Sequence, residues 1–377
     1  MTEAGTIPAL DVPGRLERLG GVLETEGMAA LLVTELSNVR YLTGFSGSAG
    51  VLIVGPGTAL LVTDGRYRTQ AGEELAKAGV DVKVDLVIGG VEAQREAVAE
   101  RGRGLDGLQV GFESEHLSWG AVERWRGAFR SAGVLAELAP ANGLVEKLRI
   151  AKDAGEIARM EQAAEIADAA LAEVLPTLGD GRTESEIALA LDTAMRKLGA
   201  EGVAFETIVA SGPNAAKPHA RPSDRLVRGG DPVVIDFGAV FEGYRSDMTR
   251  TFCVGGPPTG DLARVSEVVT SAQSAGVAKV SAGVEASEVD RACRDLIAAA
   301  GWAEAFEHGT GHGVGLDVHE EPGVGPKSTA ILAAHNVVTV EPGVYLEGIG
   351  GVRVEDTVVV TEDGCRVLTK FPKEIIA

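Results

Sequence analysis

Residues 307–321 read EHGTGHGVGLDVHEE, and the interpretation of this run decides that of the whole chain. It carries His308, His312 and His319, three of the six histidines in the molecule. Gly309, Gly311, Gly313 and Gly315 alternate with other residues between them. Each interior glycine costs a helix roughly 1 kcal/mol, so the run is not a helix. Glycines at this density serve tight turns and close approach to a bound group. Neutral imidazole is the commonest metal ligand. A turn bearing solvated histidines is the plainer account. Half of the histidines in one short run weigh against it.

Outward from this run, four acidic residues sit where strand-forming sequence surrounds them. Asp236 lies in VVIDFGAV, Asp247 in YRSDMTRTF, Glu341 in VVTVEPGVY and Glu355 in GGVRVEDTVVV. Strand interiors disfavour Asp, and buried carboxylates are rare unless paired or on a metal. An unpaired one costs several kcal/mol. A solvent-facing or salt-bridged position accounts for any single case. Four cases, with the histidine run between the second and third, call for a common cause. With His312 they supply four carboxylates and one imidazole, which suits hard to borderline divalent ions, Mn²⁺ or Co²⁺ first and Zn²⁺ after them. Four negative charges match two ions better than one. Two-metal sites hold their ions about 3.5–4 Å apart with a hydroxide nucleophile between them. The residues by themselves therefore point to a metal-assisted hydrolase.

The composition sets the frame. A chain of 377 residues is long for one domain, and two is the expectation. Apolar residues at 45% and charged residues at 24% indicate a folded, globular protein. The formal net charge of −20 repels phosphate backbones and argues against nucleic-acid binding. Cys253, Cys293 and Cys365 are widely spaced and form no CxxC pair, so a disulfide framework is not expected and a reducing, cytoplasmic compartment is. The N-terminus MTEAGTIPALDVPGRLERLG lacks the apolar stretch of a secretory signal. No run of about 18 apolar residues predicts a membrane span.

In chain order, residues 1 to 12 read as a loose tail and Pro13 as the start of a helix with Leu16, Leu19 and Leu23 on one face. Strand-like runs follow at 29–33, 38–45, 50–55 and 59–65, then near 81 and 108, alternating with helices at 66–78, 91–101 and 118–130. This predicts an α/β domain. GFSGSAG at 44–50 fails the nucleophile-elbow order, since neither Ser46 nor Ser48 has glycine at both required flanks. Turn chemistry explains it better. APANG at 139–143 reads as the domain boundary. One long helical region is expected from 144 to 179, then a helix opened by a Thr183/Glu186 capping box, and two more at 259–281 and 286–300.

The motifs DFGAVFEGYRSDMTRTF (236–252), HGTGHGVGLDVHEEP (308–322), VEPGVY (340–345) and GGVRVEDTVVV (350–360) closely resemble those of the pita-bread metallopeptidases, which include Xaa-Pro aminopeptidase, prolidase and methionine aminopeptidase. NVRYLTGFSGSAG and TDGRY resemble the N-terminal domain of the aminopeptidase and prolidase branch. The resemblance implies a creatinase-like mixed α/β domain over 1–140 and a pita-bread catalytic domain over 141–377. It implies two divalent ions, Mn²⁺ foremost. Asp236 would chelate one ion, Asp247 and Glu355 would bridge both, and His312 and Glu341 would complete the second. Glu341 would also accept the proton of the nucleophilic water. His219 and His319 match histidines that hold the scissile carbonyl and the tetrahedral intermediate. His308 matches a pocket-lining histidine, and Arg353 and Tyr345 match supporting or pocket positions. The implied substrate is a proline-containing peptide cut at the Xaa-Pro bond, and the implied assembly is a homodimer. Methionine aminopeptidase lacks an N-terminal domain of this size, and metal-free creatinase chemistry conflicts with the intact ligand set. Aminopeptidase action at peptide N-termini is the favoured expectation. Dipeptidase action is the alternative, and a non-catalytic peptide-binding protein the remote one.

Overall fold

The computed structural model describes residues 7–179 and 181–374, so the tail expected over residues 1 to 12 lies partly outside the described residues. The Asp11 side chain accepts from the Gly14 amide and opens the helix Val12–Thr25, whose inner face buries Leu16, Leu19 and Leu23. The chain divides into two compact units, Ala9–Arg149 and the part from Ile150 onward.

In the first unit β1 (Ala30–Val33), β2 (Gly50–Gly55), β3 (Thr58–Thr63), β4 (Val84–Ile88), β5 (Gln109–Glu113) and β6 (Glu137–Ala141) form a mixed sheet ordered β4-β3-β2-β1-β5-β6. The tight β2–β3 connection pairs antiparallel. The β3–β4 and β5–β6 pairs are parallel and are joined by the helices Arg68–Lys77 and Trp119–Ser131, as parallel pairing requires a crossover. Leu32, Val62, Val98, Val110 and Phe129 build the core of this unit.

Three expectations are corrected. Of residues 38–45, read as a strand from their β-branched and aromatic content, 38–43 belong to the helix Leu36–Thr43 and none to a strand. Glu35 caps the Ser37 amide, Gly44 closes the helix in a left-handed conformation, and one face buries Val39, Tyr41 and Leu42, so capping and packing override propensity. APANG is no linker: its first residues lie in β6, the helix Leu144–Arg149 follows, and the compact units meet at Arg149 and Ile150 rather than at 140/141. The long helical region is broken after Arg149. The Lys152 amide donates to the His335 carbonyl, and a capping box between Asp153 and Glu156 starts the next helix, Ala154–Val174. The Thr183/Glu186 capping box opens the helix Glu184–Lys197 as expected.

The second unit contains β7 (Gly202–Val203), β8 (Ile208–Ser211), β9 (Pro232–Phe237), β10 (Ala239–Phe241), β11 (Tyr244–Arg245) and β12 (Met248–Cys253) in two antiparallel sheets ordered β11-β10-β7 and β12-β9-β8. After the helices Gly260–Lys279 and Ala286–Ala299 come β13 (Gly311–Gly313), β14 (Glu320–Val324), β15 (Val337–Val340), β16 (Gly343–Leu346), β17 (Gly350–Arg353), β18 (Asp356–Thr361) and β19 (Gly364–Val367). These form a five-stranded sheet ordered β14-β13-β15-β18-β19 and a separate β16–β17 hairpin. No helix among the described residues is long and apolar enough to cross a membrane.

The glycine-rich run is thus strand β13 and its flanks. A Cβ on Gly311 would collide with the Thr339 carbonyl oxygen, and one on Gly313 with the Glu321 carbonyl oxygen. The expected close approach is therefore to neighbouring backbone on both sides rather than to a bound group. Gly311→Ala is expected to destabilise the protein by about 3 kcal/mol, since backbone on the facing strand has little room to yield. A urea titration that returns the wild-type midpoint would refute this account of the strand.

Candidate metal centre

Strand register places the acidic residues around one cavity. Asp236 lies in β9 directly opposite Thr249 of β12. Asp247 sits just before β12, Glu341 just after β15, and Glu355 between β17 and β18. His312 is the middle residue of β13. The period of two in an extended chain sets Asp247, Thr249 and Thr251 on one face, and Arg353 with Glu355 likewise. Asp236, Asp247, His312, Glu341 and Glu355 all line a cavity of about 580 Å³, together with His219, His308, His319 and Arg353.

Asp247, His312 and Glu355 bring one ligand-competent atom each to within 4.8 Å of one another. The His312 Nδ1–H donates to the Gly313 carbonyl at 2.9 Å, because a carbonyl can only accept. Nε2 is left facing the cavity, 3.6 Å from Asp247 and 3.3 Å from Glu341. Asp236 stands apart from the trio. Its Oδ2 accepts from Arg353 at 2.6 Å, while its Oδ1 is buried with no hydrogen-bond donor among the described residues.

Arg353 ties the cluster to its surroundings. Its guanidinium also donates to Thr249 Oγ1 at 3.0 Å, to the Tyr345 hydroxyl at 2.9 Å and to the Pro218 carbonyl at 3.1 Å. Thr249 in turn donates to Glu355 at 2.7 Å. The Tyr345 hydroxyl donates to His308 Nε2 at 2.8 Å, and His308 Nδ1–H donates to the Gly309 carbonyl at 2.8 Å. Both ring nitrogens of His308 are thereby engaged in its neutral form. His219 and His319 are exposed to the cavity, and the His319 ring meets His312 edge-on with centroids 4.4 Å apart.

The electrostatics follow from crowding. Burial, and then the charge of Glu355, raises Asp247 well above the usual carboxylate range. Burial, and then the charge of Glu341, does the same to Glu355. Burial raises Asp236 despite Arg353. Glu341 goes the other way: burial opposes ionisation, but the hydrogen bond and charge of His312 prevail and hold it at about 2. Burial likewise disfavours imidazolium at His312, but Glu341 outweighs it and raises the group. Burial keeps His308 below its ordinary value and pushes the Tyr345 phenol up to about 12. Buried carboxylates that repel one another, an orphaned oxygen on Asp236 and a His312 Nε2 that faces Asp247 and Glu341 across the cavity are the donor set of divalent cations, and the residues present fit such ions.

A model of metallopeptidase family M24 matches residues 158–362, and a creatinase/prolidase N-terminal domain model matches residues 15–151. The chain belongs to metallopeptidase family M24. An uncharacterized peptidase of Bacillus subtilis (strain 168) is 42% identical over 364 residues, which span 96% of this chain and 99% of that protein. The solved Xaa-Pro dipeptidase of Bacillus anthracis is 39% identical with a TM-score of 0.89, covering 97% of this chain and 100% of that one. The X-Pro aminopeptidase of Thermotoga maritima MSB8 is 37% identical with a TM-score of 0.86, covering 96% of this chain and 100% of that one. Family membership makes the protein a hydrolase of the Xaa-Pro dipeptidase and aminopeptidase group and implies divalent metal ions. The fold is the creatinase-type N-terminal domain followed by the pita-bread domain that the motifs led one to expect.

Sequence reading passed over Thr249, which links Arg353 to Glu355, and Thr339, which donates to Glu341 at 3.1 Å. The signal for Thr249 was its two-residue spacing from Asp247 on a strand. It also passed over the buried Lys152–Glu320 ion pair, 3.0 Å long, whose acid is the residue after His319. Lys152 lies far off in sequence, and no local pattern marks it.

The raised carboxylates fix a sign. Asp247 and Glu355 stabilise the fold fully below the ordinary carboxylate values of 3.8 and 4.5, and that contribution is lost as pH rises through their elevated folded values. Chelated protein is therefore expected to lose melting temperature as pH rises above the ordinary carboxylate range, with Mn²⁺ restoring most at the alkaline end. In Glu355→Gln both the pH slope and the metal gain should shrink. An unchanged slope in that variant would show that the crowded carboxylates are not its source.

Proposed function

We propose that this protein is a metal-dependent exopeptidase that hydrolyses the bond between an N-terminal residue and a following proline. The observation that carries this reading is one cavity lined both by the carboxylate and imidazole cluster and by His219, His319 and Arg353. Asp236, Asp247, His312, Glu341 and Glu355 would hold two divalent ions, with Mn²⁺ the best match to an oxygen-rich set with one nitrogen. When bound, such ions lower the pKa of water and polarise a carbonyl.

The chain's own groups divide the remaining work. Glu341, kept ionised by His312, accepts a proton from the attacking water and returns it to the departing imino nitrogen of proline. His219 and His319 present ring N–H groups to the oxygen on which charge develops, the interaction that contributes most when its donors are fixed in advance. His308, engaged at both nitrogens, serves as wall and holds the Tyr345 hydroxyl in place. Arg353 balances Asp236 and orients Tyr345. An Xaa-Pro bond is a tertiary amide without an N–H, so proline is read by shape. Phe205, Ile208, Pro218 and Val318 supply apolar wall for the ring. The three free cysteines fit a reducing cytoplasm, and the family resemblance favours a homodimer.

Aminopeptidase action is the preferred form. One observation favours the dipeptidase form: Arg221 stands exposed at the cavity, its one ion pair among the described residues a long 3.4 Å contact to Glu206, and could meet the carboxylate that follows proline in a dipeptide. Under either form, Xaa-Pro-Xaa tripeptides or Xaa-Pro dipeptides should be cleaved before proline only with Mn²⁺, and Glu355→Ala should lower kcat by at least about 100-fold. Tripeptide cleavage makes it an aminopeptidase. Cleavage of the dipeptide alone, with KM raised about 10-fold or more by Arg221→Ala, makes it a dipeptidase. Metal-loaded protein that cleaves neither peptide is not an Xaa-Pro peptidase.

A further inference from the structure

The segment from Ser211 to Ser223 carries Pro218, His219 and Arg221 to the cavity, and both of its ends are fastened to one carboxylate. Glu184 is fully buried at 0% exposure. Its Oε1 accepts from the Ser211 amide and hydroxyl, each at 2.7 Å. Its Oε2 accepts from the Ser223 amide at 3.1 Å and hydroxyl at 2.6 Å. Asn214 Nδ2 spans the two oxygens at 3.1 and 3.2 Å. Arg225 adds a donor to the Ser211 hydroxyl at 2.6 Å and is itself paired with Asp231.

Glu184 has no part in capping its own helix, since Thr183 and Glu186 already form that box. It lines no part of the cavity. Its two oxygens take all five of these donor groups, and no neutral side chain of this size can satisfy both ends of the segment. We propose that Glu184 is a positioning residue for His219: it closes the base of the segment so that the imidazole stands at a fixed place over the reacting carbonyl. Arg353 secures the crown of the same segment through the Pro218 carbonyl, one residue before His219. This inference rests on the Xaa-Pro peptidase reading of the cavity.

Glu184→Gln is the decisive variant. It keeps volume and shape but turns an amide N–H₂ toward donors at one end, releasing that end alone. A misplacement of about 1 Å in a catalytic group costs on the order of 100-fold, so kcat should fall 10- to 100-fold with KM little changed and Mn²⁺ binding intact. In a His219→Ala background the same substitution should cost less than about 2-fold, because the group it positions is gone. Amide hydrogen exchange of residues 212–222 should quicken in Glu184→Gln while β9 and β12 keep their protection. An equal loss of kcat with and without His219, or unaltered exchange in the segment, would overturn the proposal. Should the wild-type protein cleave no Xaa-Pro peptide, the peptidase reading fails, and the exchange measurement still decides whether Glu184 holds the segment.

Discussion

Mutual repulsion among buried carboxylates is the constraint from which the second unit is best understood. Asp247 and Glu355 are 4% and 1% exposed, and Asp236 and Glu341 flank them across the same cavity. Burial leaves them poorly screened: after burial itself, the largest penalty on Asp247 is the charge of Glu355, and the largest on Glu355 is the charge of Glu341. Such an arrangement lowers the stability of a bare fold, and proteins retain it where the charges serve a ligand. The cations that face the cluster, Arg353 and His312, are each committed to one carboxylate more than to the rest: Arg353 to Asp236 and His312 to Glu341. Asp247 and Glu355 are left for an added positive charge.

The rest of the site is arranged so that this charge arrives at a prepared place. Arg353 distributes its donors over Asp236, Thr249, Tyr345 and Pro218, so one guanidinium fixes a cavity carboxylate, the threonine that supports another, the Tyr345 hydroxyl and the segment carrying His219. Its planar fork of donors makes that possible, and a lysine would not reproduce it. His312 is held by a strand that has glycine on both sides of it, so neighbouring backbone rather than neighbouring side chains sets its height over the cavity.

What was legible in the sequence was whatever broke a local rule. Asp236 among valines, Glu341 and Glu355 in β-branched runs, and histidines among glycines are locally unfavourable choices, and these residues line the cavity. Helices with regular apolar spacing and a capping box, such as Glu184–Lys197, were also legible, because local and tertiary preferences agree there. What escaped notice obeyed local rules or depended on distant partners. Residues 38–45 have strand-like composition, and only the cap at Glu35 and the burial of Val39 and Tyr41 make them helical. The break at Lys152 needs His335 and Glu320, which lie far along the chain. Glu184 looks like an ordinary first-turn acid, and its five donors come from residues 27 to 39 positions away.

The placement of the five acidic and imidazole groups has a structural consequence of its own. Asp236 lies in β9 and Asp247 directly before β12 of the same sheet, whereas His312 lies in β13 and Glu341 directly after β15 of the five-stranded sheet. Any ion held by both sets is a non-covalent cross-link between two sheets that are separated in sequence by two long helices. Like a disulfide, it constrains a long loop of the unfolded chain, and unlike one it is made and undone by the supply of metal. An ion so held would tie the integrity of the fold to the supply of metal.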